Sequence, residues 1–262
     1  MDKRPSATTS CIEAKDNTVL IEEEEILQRW KEYISNLFAD DQRQKPTITN
    51  KYGNPILEDE VVNALKNMKN GKAAGPDGIV IEMLRALDKL GTKWVTILAN
   101  KIYDDGRFPK AMCKSVFVTL PKKPRATKCE NFRTISLMSH LTKVVLRVML
   151  NRLRGRTVSE VAEEQYGFRP DKGTRNAIFV LKFFSKRAIE VQKDLYVCFI
   201  DNVKAFDKVK HEPLIDMMKE LELDGKDVDL IMNLYWDQQT AVRWNDKLSN
   251  YMDIQSGVRQ GC

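Results

Sequence analysis

Leu195-Tyr-Val-Cys-Phe-Ile200 is the segment that most limits what this chain can fold into. A nearly unbroken apolar run of that length is the pattern of a strand covered on both faces. It ends in Asp201, and Asp207 follows six residues later. A buried strand that closes on a carboxylate presents oxygen ligands at the edge of a rigid sheet, the kind that Mg²⁺ prefers. The same spacing also describes a plainer pair, in which Asp201 opens a turn and Asp207 caps the next helix. Two carboxylates are few for a two-metal site, so a further ligand has to come from elsewhere.

Around that strand the periodicity is mostly helical. Ile26, Leu27, Trp30, Tyr33, Ile34 and Leu37 share one face behind the acidic Glu22–Glu25, which suits a helix N-terminus. Val61, Val62, Leu65 and Met68 mark a second helix, stopped by Asn70-Gly71. Helices are predicted over 79–90, 92–103, 139–153, 174–192, 213–221 and 228–235, with Ala177, Ile178, Leu181 and Phe184 facing inward in the long one. Strands are predicted at 115–120, 195–200, 240–244 and 251–255, the last two around a turn at 245–250. Residues 1–24 read as a mobile tail, polar and without period at their start. The order of elements is α+β: a helix-rich N-terminal part and a small antiparallel sheet late in the chain.

The 262 residues carry 43 Lys and Arg against 37 Asp and Glu, a modest +6 that hides an asymmetry. From Arg107 to Arg156 there are thirteen basic residues and one acidic, Glu130, so this stretch is +12 and the remainder −6. A cationic surface of that extent suits a polyanion, and its binding should weaken steeply with salt. No apolar run approaches the roughly 20 residues of a membrane span, and no secretory signal is expected from the polar start. The five cysteines (11, 113, 129, 198 and 262) are scattered and never Cys-x-x-Cys, so a disulfide scaffold or zinc finger is not expected. With only His140 and His211, neither is a His-based metal site. An intracellular setting, nuclear or cytoplasmic, is the expectation.

Two loops add candidates. Gln165-Tyr-Gly-Phe-Arg-Pro-Asp-Lys-Gly-Thr174 combines two glycines with Arg169 and Lys172, a form that can admit a nucleic-acid backbone or be an ordinary turn with a helix cap. Ser256-Gly-Val-Arg-Gln-Gly-Cys262 has small residues suited to close backbone approach. Asn70-Gly-Lys-Ala-Ala-Gly-Pro-Asp-Gly78 lacks the phosphate-loop spacing, which rejects a nucleotidase reading.

Taken in order, these segments resemble the reverse transcriptase domain of non-LTR (LINE-type) retrotransposons, from about Trp30 to the last residue. Asn70–Ile79 looks like the opening motif, and Asn131-Phe-Arg-Thr-Ile-Ser-Leu137 like the fingers motif, with Thr134 where Pro is commoner. Gln165–Thr174 and Phe199-Ile-Asp-Asn-Val-Lys-Ala-Phe-Asp207 resemble the next two, and Gly257-Val-Arg-Gln-Gly-Cys262 the start of another.

The resemblance implies a right-hand polymerase, with fingers and N-terminal helices over 25–190 and a partial palm over 191–262. It implies that Asp201 is catalytic and a ligand of Mg²⁺ (or Mn²⁺), with Asn202 beside it. Lys122, Lys123 and Arg133 would meet the triphosphate, and Phe206 the sugar, excluding a 2′-hydroxyl. Asp207 would be structural. Gln260 and Gly261 would approach the nucleotide, and Gly167, Phe168 and Arg169 the template. The partners implied are an RNA template, a DNA primer and deoxynucleoside triphosphates, with no membrane. The family's paired aspartates, in an aromatic-Ala-Asp-Asp hairpin after the Gly-Val-Arg-Gln-Gly motif, are not reached by residue 262, so a fragment inactive by itself is the expectation. A non-catalytic nucleic-acid-binding remnant and a group II intron maturase-like protein are the rival readings.

Overall fold

The computed structural model describes residues 11–259, which form two compact units. The first joins the residues up to Arg152 to those from Lys204 onward, and the second is Leu153–Val203.

The first unit begins with a hairpin, β1 (Ile12–Glu13) and β2 (Val19–Leu20). Part of the expected tail is therefore ordered: Ile12 is fully buried, and Glu13 N–H donates to the Thr127 carbonyl at 2.9 Å. The turn uses Asn17 at φ +67°, and the Asp16 carboxylate accepts from the Thr18 N–H at 3.0 Å. α1 (Glu23–Leu37) opens on three glutamates and buries Ile26, Leu27, Trp30 and Ile34, as its periodicity predicts. These side chains meet Phe132, Val242 and Trp244 in one core, where Trp30 stands edge-on to Phe132 with ring centres 5.4 Å apart.

A second core is helical. α2 (Glu58–Asn67) starts where Glu60 accepts from the Leu57 N–H at 2.9 Å. The predicted helix over 79–90 is shorter, α3 (Ile81–Arg85). The chain breaks at Ala86–Asp88, because the Asp88 carboxylate accepts from the Gly91 N–H at 2.8 Å and so starts α4 (Lys89–Asp105) three residues early. Gly106, at φ +63°, ends α4. After the short α5 (Lys110–Cys113) come β3 (Lys114–Pro121), β4 (Phe132–Met138) and α6 (His140–Thr157), whose last turn belongs to the second unit. Val61, Ala64, Leu84, Val95, Ile102 and Val148 close this core.

In the second unit α7 (Thr174–Glu190) forms as predicted, yet none of its residues is buried, including the Ala177, Ile178, Leu181 and Phe184 expected to face inward. The predicted strand 195–200 is not one: Tyr196 is 89% exposed, Phe199 83% and Ile200 84%. A doubly covered strand needs ladder neighbours and layers on both faces. Among the described residues none pairs with it.

Returning to the first unit, α8 (His211–Glu220) and α9 (Gly225–Asp237) lead to β5 (Gln239–Trp244), β6 (Lys247–Leu248) and β7 (Met252–Asp253). The sheet order is β4-β3-β5-β6, with β7 also on β5. It is α+β as expected and mainly antiparallel, but β3 and β5 run parallel, Phe117 beside Val242. Two of its five strands, the longest pair, thus come from residues 114–138, and the expected domain boundary near 190 coincides with neither limit of the second unit. No helix among the described residues is long and apolar enough to cross a membrane.

Candidate functional site

The β3–β4 hairpin carries the basic stretch. Strand pairing sets Leu120 opposite Arg133 and Pro121 opposite Phe132, so Lys122, Lys123 and Arg125 fall in the connecting loop, all exposed. Lys122 donates to the Glu130 carbonyl at 2.8 Å, which ties the loop to its own return. Side-chain alternation separates neighbours on β4: Phe132 is buried and Arg133 is exposed.

Thr134, on the Phe132 face, lines a narrow cleft with Phe117, Asp207, Gly257, Val258 and Arg259. The floor is built by a short pairing of two distant segments. Val258 N–H donates to the Phe206 carbonyl at 2.9 Å, and Gly257 N–H to the Val209 carbonyl at 2.7 Å. Gly257 is at φ +81°, and a Cβ there would lie 2.8 Å from the Asp207 carbonyl oxygen and from a Phe38 ring carbon, so only glycine fits. Asp207 is buried, and its N–H donates to the Lys204 carbonyl at 3.0 Å. Phe206, 45% exposed, stays at the surface beside it. The resemblance gives Phe206 and the residues after Val258 one nucleotide to share, and the fold brings the two segments together. Arg133, Lys122 and Lys123 do not line this cleft. Gln260 and Gly261 lie outside the described residues.

Lys204, from the same segment as Phe206, anchors it to α1. Its ammonium bonds the Tyr33 hydroxyl and sits 4.6 Å from the Tyr33 ring centre. Burial, with Cys129, Glu130 and Asp207 nearby, pushes the Tyr33 phenol up to about 12, so it remains protonated.

In the second unit Asp201 and Asn202 are exposed in an irregular stretch. Gly167 and Phe168 are exposed, Phe168 at 88% and φ +61°, while Arg169 donates to the Ala162 carbonyl at 2.8 Å and Lys172 to that of Glu163 at 2.6 Å. The loop is therefore folded on its own carbonyls. Among the described residues no three His, Cys, Asp or Glu side chains gather where they could hold a metal ion. Asp201 alone does not make a divalent-metal centre, so the described residues do not fit the ion that the resemblance implies.

Three features escape a reading of the sequence. Phe38-Ala39-Asp40-Asp41 has the letters of the paired-aspartate motif but ends α1, where Asp40 pairs with Lys210 at 2.7 Å and its N–H donates to Gln255 at 3.0 Å. Arg152, one of the thirteen cations, is committed to Glu60 through 2.7 and 2.6 Å bonds and to the Asn54 and Pro55 carbonyls. Burial would raise the Glu60 carboxyl, but the bonds from Arg152 and Leu57 more than offset that and hold it low. Third, His211 is buried against the Gly257 turn, with its Nε2 2.8 Å from the Gly257 carbonyl. Its position at the start of α8, just after Lys210, carries no signal of that kind.

Residues 120–262, more than half of the chain, match the family described as reverse transcriptase (RNA-dependent DNA polymerase). The chain is 26% identical to the transposon TX1 uncharacterized 149 kDa protein of Xenopus laevis, over 97% of this chain and 20% of that one. It is 29% identical to the RNA-directed DNA polymerase from mobile element jockey of Drosophila funebris, over 79% and 23%. It is 31% identical to the retrovirus-related Pol polyprotein from type-1 retrotransposable element R2 of Bradysia coprophila, over 73% and 21%. The chain thus spans about a fifth of the length of these relatives. The matched stretch opens at the end of β3 and runs through the β4 strand, the Phe206–His211 segment and the Gly257 turn that build the cleft, and by that match the chain belongs to the reverse transcriptase family.

Proposed function

We propose that this chain is the nucleotide-binding, fingers-and-palm part of an RNA-directed DNA polymerase from a retrotransposable element. The observation that carries the reading is the bond from Val258 N–H to the Phe206 carbonyl, which sets two distant segments of the family pattern side by side on one cleft. The relatives' names supply the element type, and the family supplies the reaction class, transfer of a nucleotidyl group to a primer 3′-hydroxyl. RNA template, DNA primer and deoxynucleoside triphosphate are the partners.

On this reading Phe206 lies under the sugar and fills the space that a 2′-hydroxyl would take. Gln260 and Gly261 continue the Gly257 turn toward the nucleotide. Lys122, Lys123 and Arg133 meet the triphosphate, where cations on a hairpin stabilise charge most strongly once water is excluded. Gly167, Phe168 and Arg169 face the template. Asp201, with the Asn202 carbonyl beside it, would be one ligand of a metal centre that the described residues do not complete.

The test is equilibrium binding of labelled deoxynucleoside and ribonucleoside triphosphates to the chain and to Phe206→Val. The wild type should prefer the deoxy form by about tenfold, a discrimination of roughly 1.4 kcal/mol, and Phe206→Val should bring the ratio near one while deoxynucleotide binding persists. Equal affinity for both in the wild type, or an unchanged ratio in the variant, contradicts the reading.

A further inference from the structure

His211 is fully buried, and every polar atom of its ring is used. A carbonyl oxygen only accepts, so the 2.8 Å approach of Nε2 to Gly257 puts the ring proton on Nε2. Nδ1 is then an acceptor, and the Arg43 guanidinium donates to it at 3.1 Å. Arg43 also donates to the carbonyls of Tyr235 (3.2 Å), Ile254 (3.3 Å) and Trp236 (3.4 Å) and lies 4.5 Å from the centre of the Trp236 ring. The ring itself stacks 4.6 Å from Tyr235. The loop after α1, the end of α9, the residue after β7 and the Gly257 turn therefore meet at the His211–Arg43 pair.

We propose that His211 is a positioning residue for the nucleotide cleft: its Nε2–H holds the Gly257 carbonyl, and so fixes the backbone from which Val258 and Arg259 line that cleft. Two main-chain bonds, Gly257 to Val209 and Val258 to Phe206, hold the N–H groups of the turn, and His211 supplies the side-chain bond that holds its carbonyl from the opposite direction. Gly257 adopts a backbone conformation that other residues avoid, and such a turn persists only when its surroundings over-determine it. The same ring keeps one tautomer at neutral pH. Burial is the main cause that lowers it to about 4; the Gly257 bond opposes this, the Arg43 and Arg259 cations add to it, and Asp40 works against them. The functional half of this role rests on the cleft being a nucleotide site.

Three substitutions separate a positioning bond from mere bulk. His211→Gln retains a donor in the place of Nε2, His211→Asn retains only an acceptor in the place of Nδ1, and His211→Leu retains neither. Amide exchange resolved at Gly257 and Val258 is the direct readout, with β3 and β4 as the internal standard for folding. Asn and Leu should speed exchange at these two amides by about tenfold with the strands unchanged, and Gln should stay within about threefold of the wild type. Affinity for a deoxynucleoside triphosphate should follow the same order, with about a tenfold loss in Asn. Unchanged exchange at Gly257 and Val258 in a folded Asn or Leu variant overturns the role. So does an equal loss of protection across the sheet in all three variants, which would mark a packing residue. A wild type that binds no triphosphate overturns the nucleotide reading instead, and the exchange pattern still decides what His211 does.

Discussion

α1 and α7 carry the same kind of message in their sequences and meet different fates. In α1 the stripe Ile26, Leu27, Trp30 and Ile34 is covered by β4, β5 and the residues after β7. In α7 the stripe Ile178, Leu181 and Phe184 is open, and so is the apolar run after it. Each large apolar side chain left in water forgoes roughly 1.5–3 kcal/mol of burial. Hydrophobic period thus reports which face of an element wants cover. Whether cover exists is decided by other elements, and among the described residues α1 has it and α7 does not.

The sharpest way to break that contrast is at its strong end. Trp30 is fully buried among Tyr33, Phe132 and Trp244. Trp30→Ala should cost about 3–5 kcal/mol, from lost transfer energy and the cavity left behind, read as a shift in the urea midpoint. A loss under 1 kcal/mol would mean that α1 is no better covered than α7.

A smaller effect sharpens the picture of the first unit. His211 is held near 4 in the folded chain against about 6.5 when unfolded. The unfolded chain therefore binds the proton more readily between these values, and stability is complete above about pH 6.5 and lost as pH falls toward 4. The loss should be about 3 kcal/mol by pH 4, seen as the difference between wild type and His211→Gln in urea midpoints from pH 7 down to pH 4. Identical slopes for the two proteins would show that the ring is not buried neutral.

The smallest effect belongs to the open region. Phe199→Ser should change stability by no more than about 0.5 kcal/mol while reducing aggregation, since it removes an exposed ring from an unpaired apolar segment. A loss comparable to that of Trp30→Ala would show that 195–200 is packed after all.

Much of the first unit is legible in the sequence because its signals are local. The glutamates in the first turn of α1, Gly106 after α4 and the alternation around 240–255 each act within a few residues. Distant pairings are not legible in that way. The parallel β3–β5 pair joins residues more than a hundred apart, and Arg43 reaches His211 over a separation of 168. Arg152 shows the same limit from the side of charge: its letter matches its basic neighbours, but Glu60 claims it. The hairpin at 12–20 was legible in principle, from the Asp16-Asn17 turn, but strands of two residues leave no period to read. For the candidate site, the resemblance gives Phe206, Gln260 and Gly261 one nucleotide to approach, whereas the His211 bond to the Gly257 turn has no sequence signature.

Limited digestion with chymotrypsin, with the first cleavage sites mapped by mass spectrometry, tests the contrast most directly. Proteolysis reports local opening and exposed backbone. The first cuts should fall at Tyr196 and Phe199, while Trp30, Phe117, Phe132 and Trp244 stay intact in a resistant first unit. Early cleavage at those core aromatics, or resistance throughout 195–200, would contradict it.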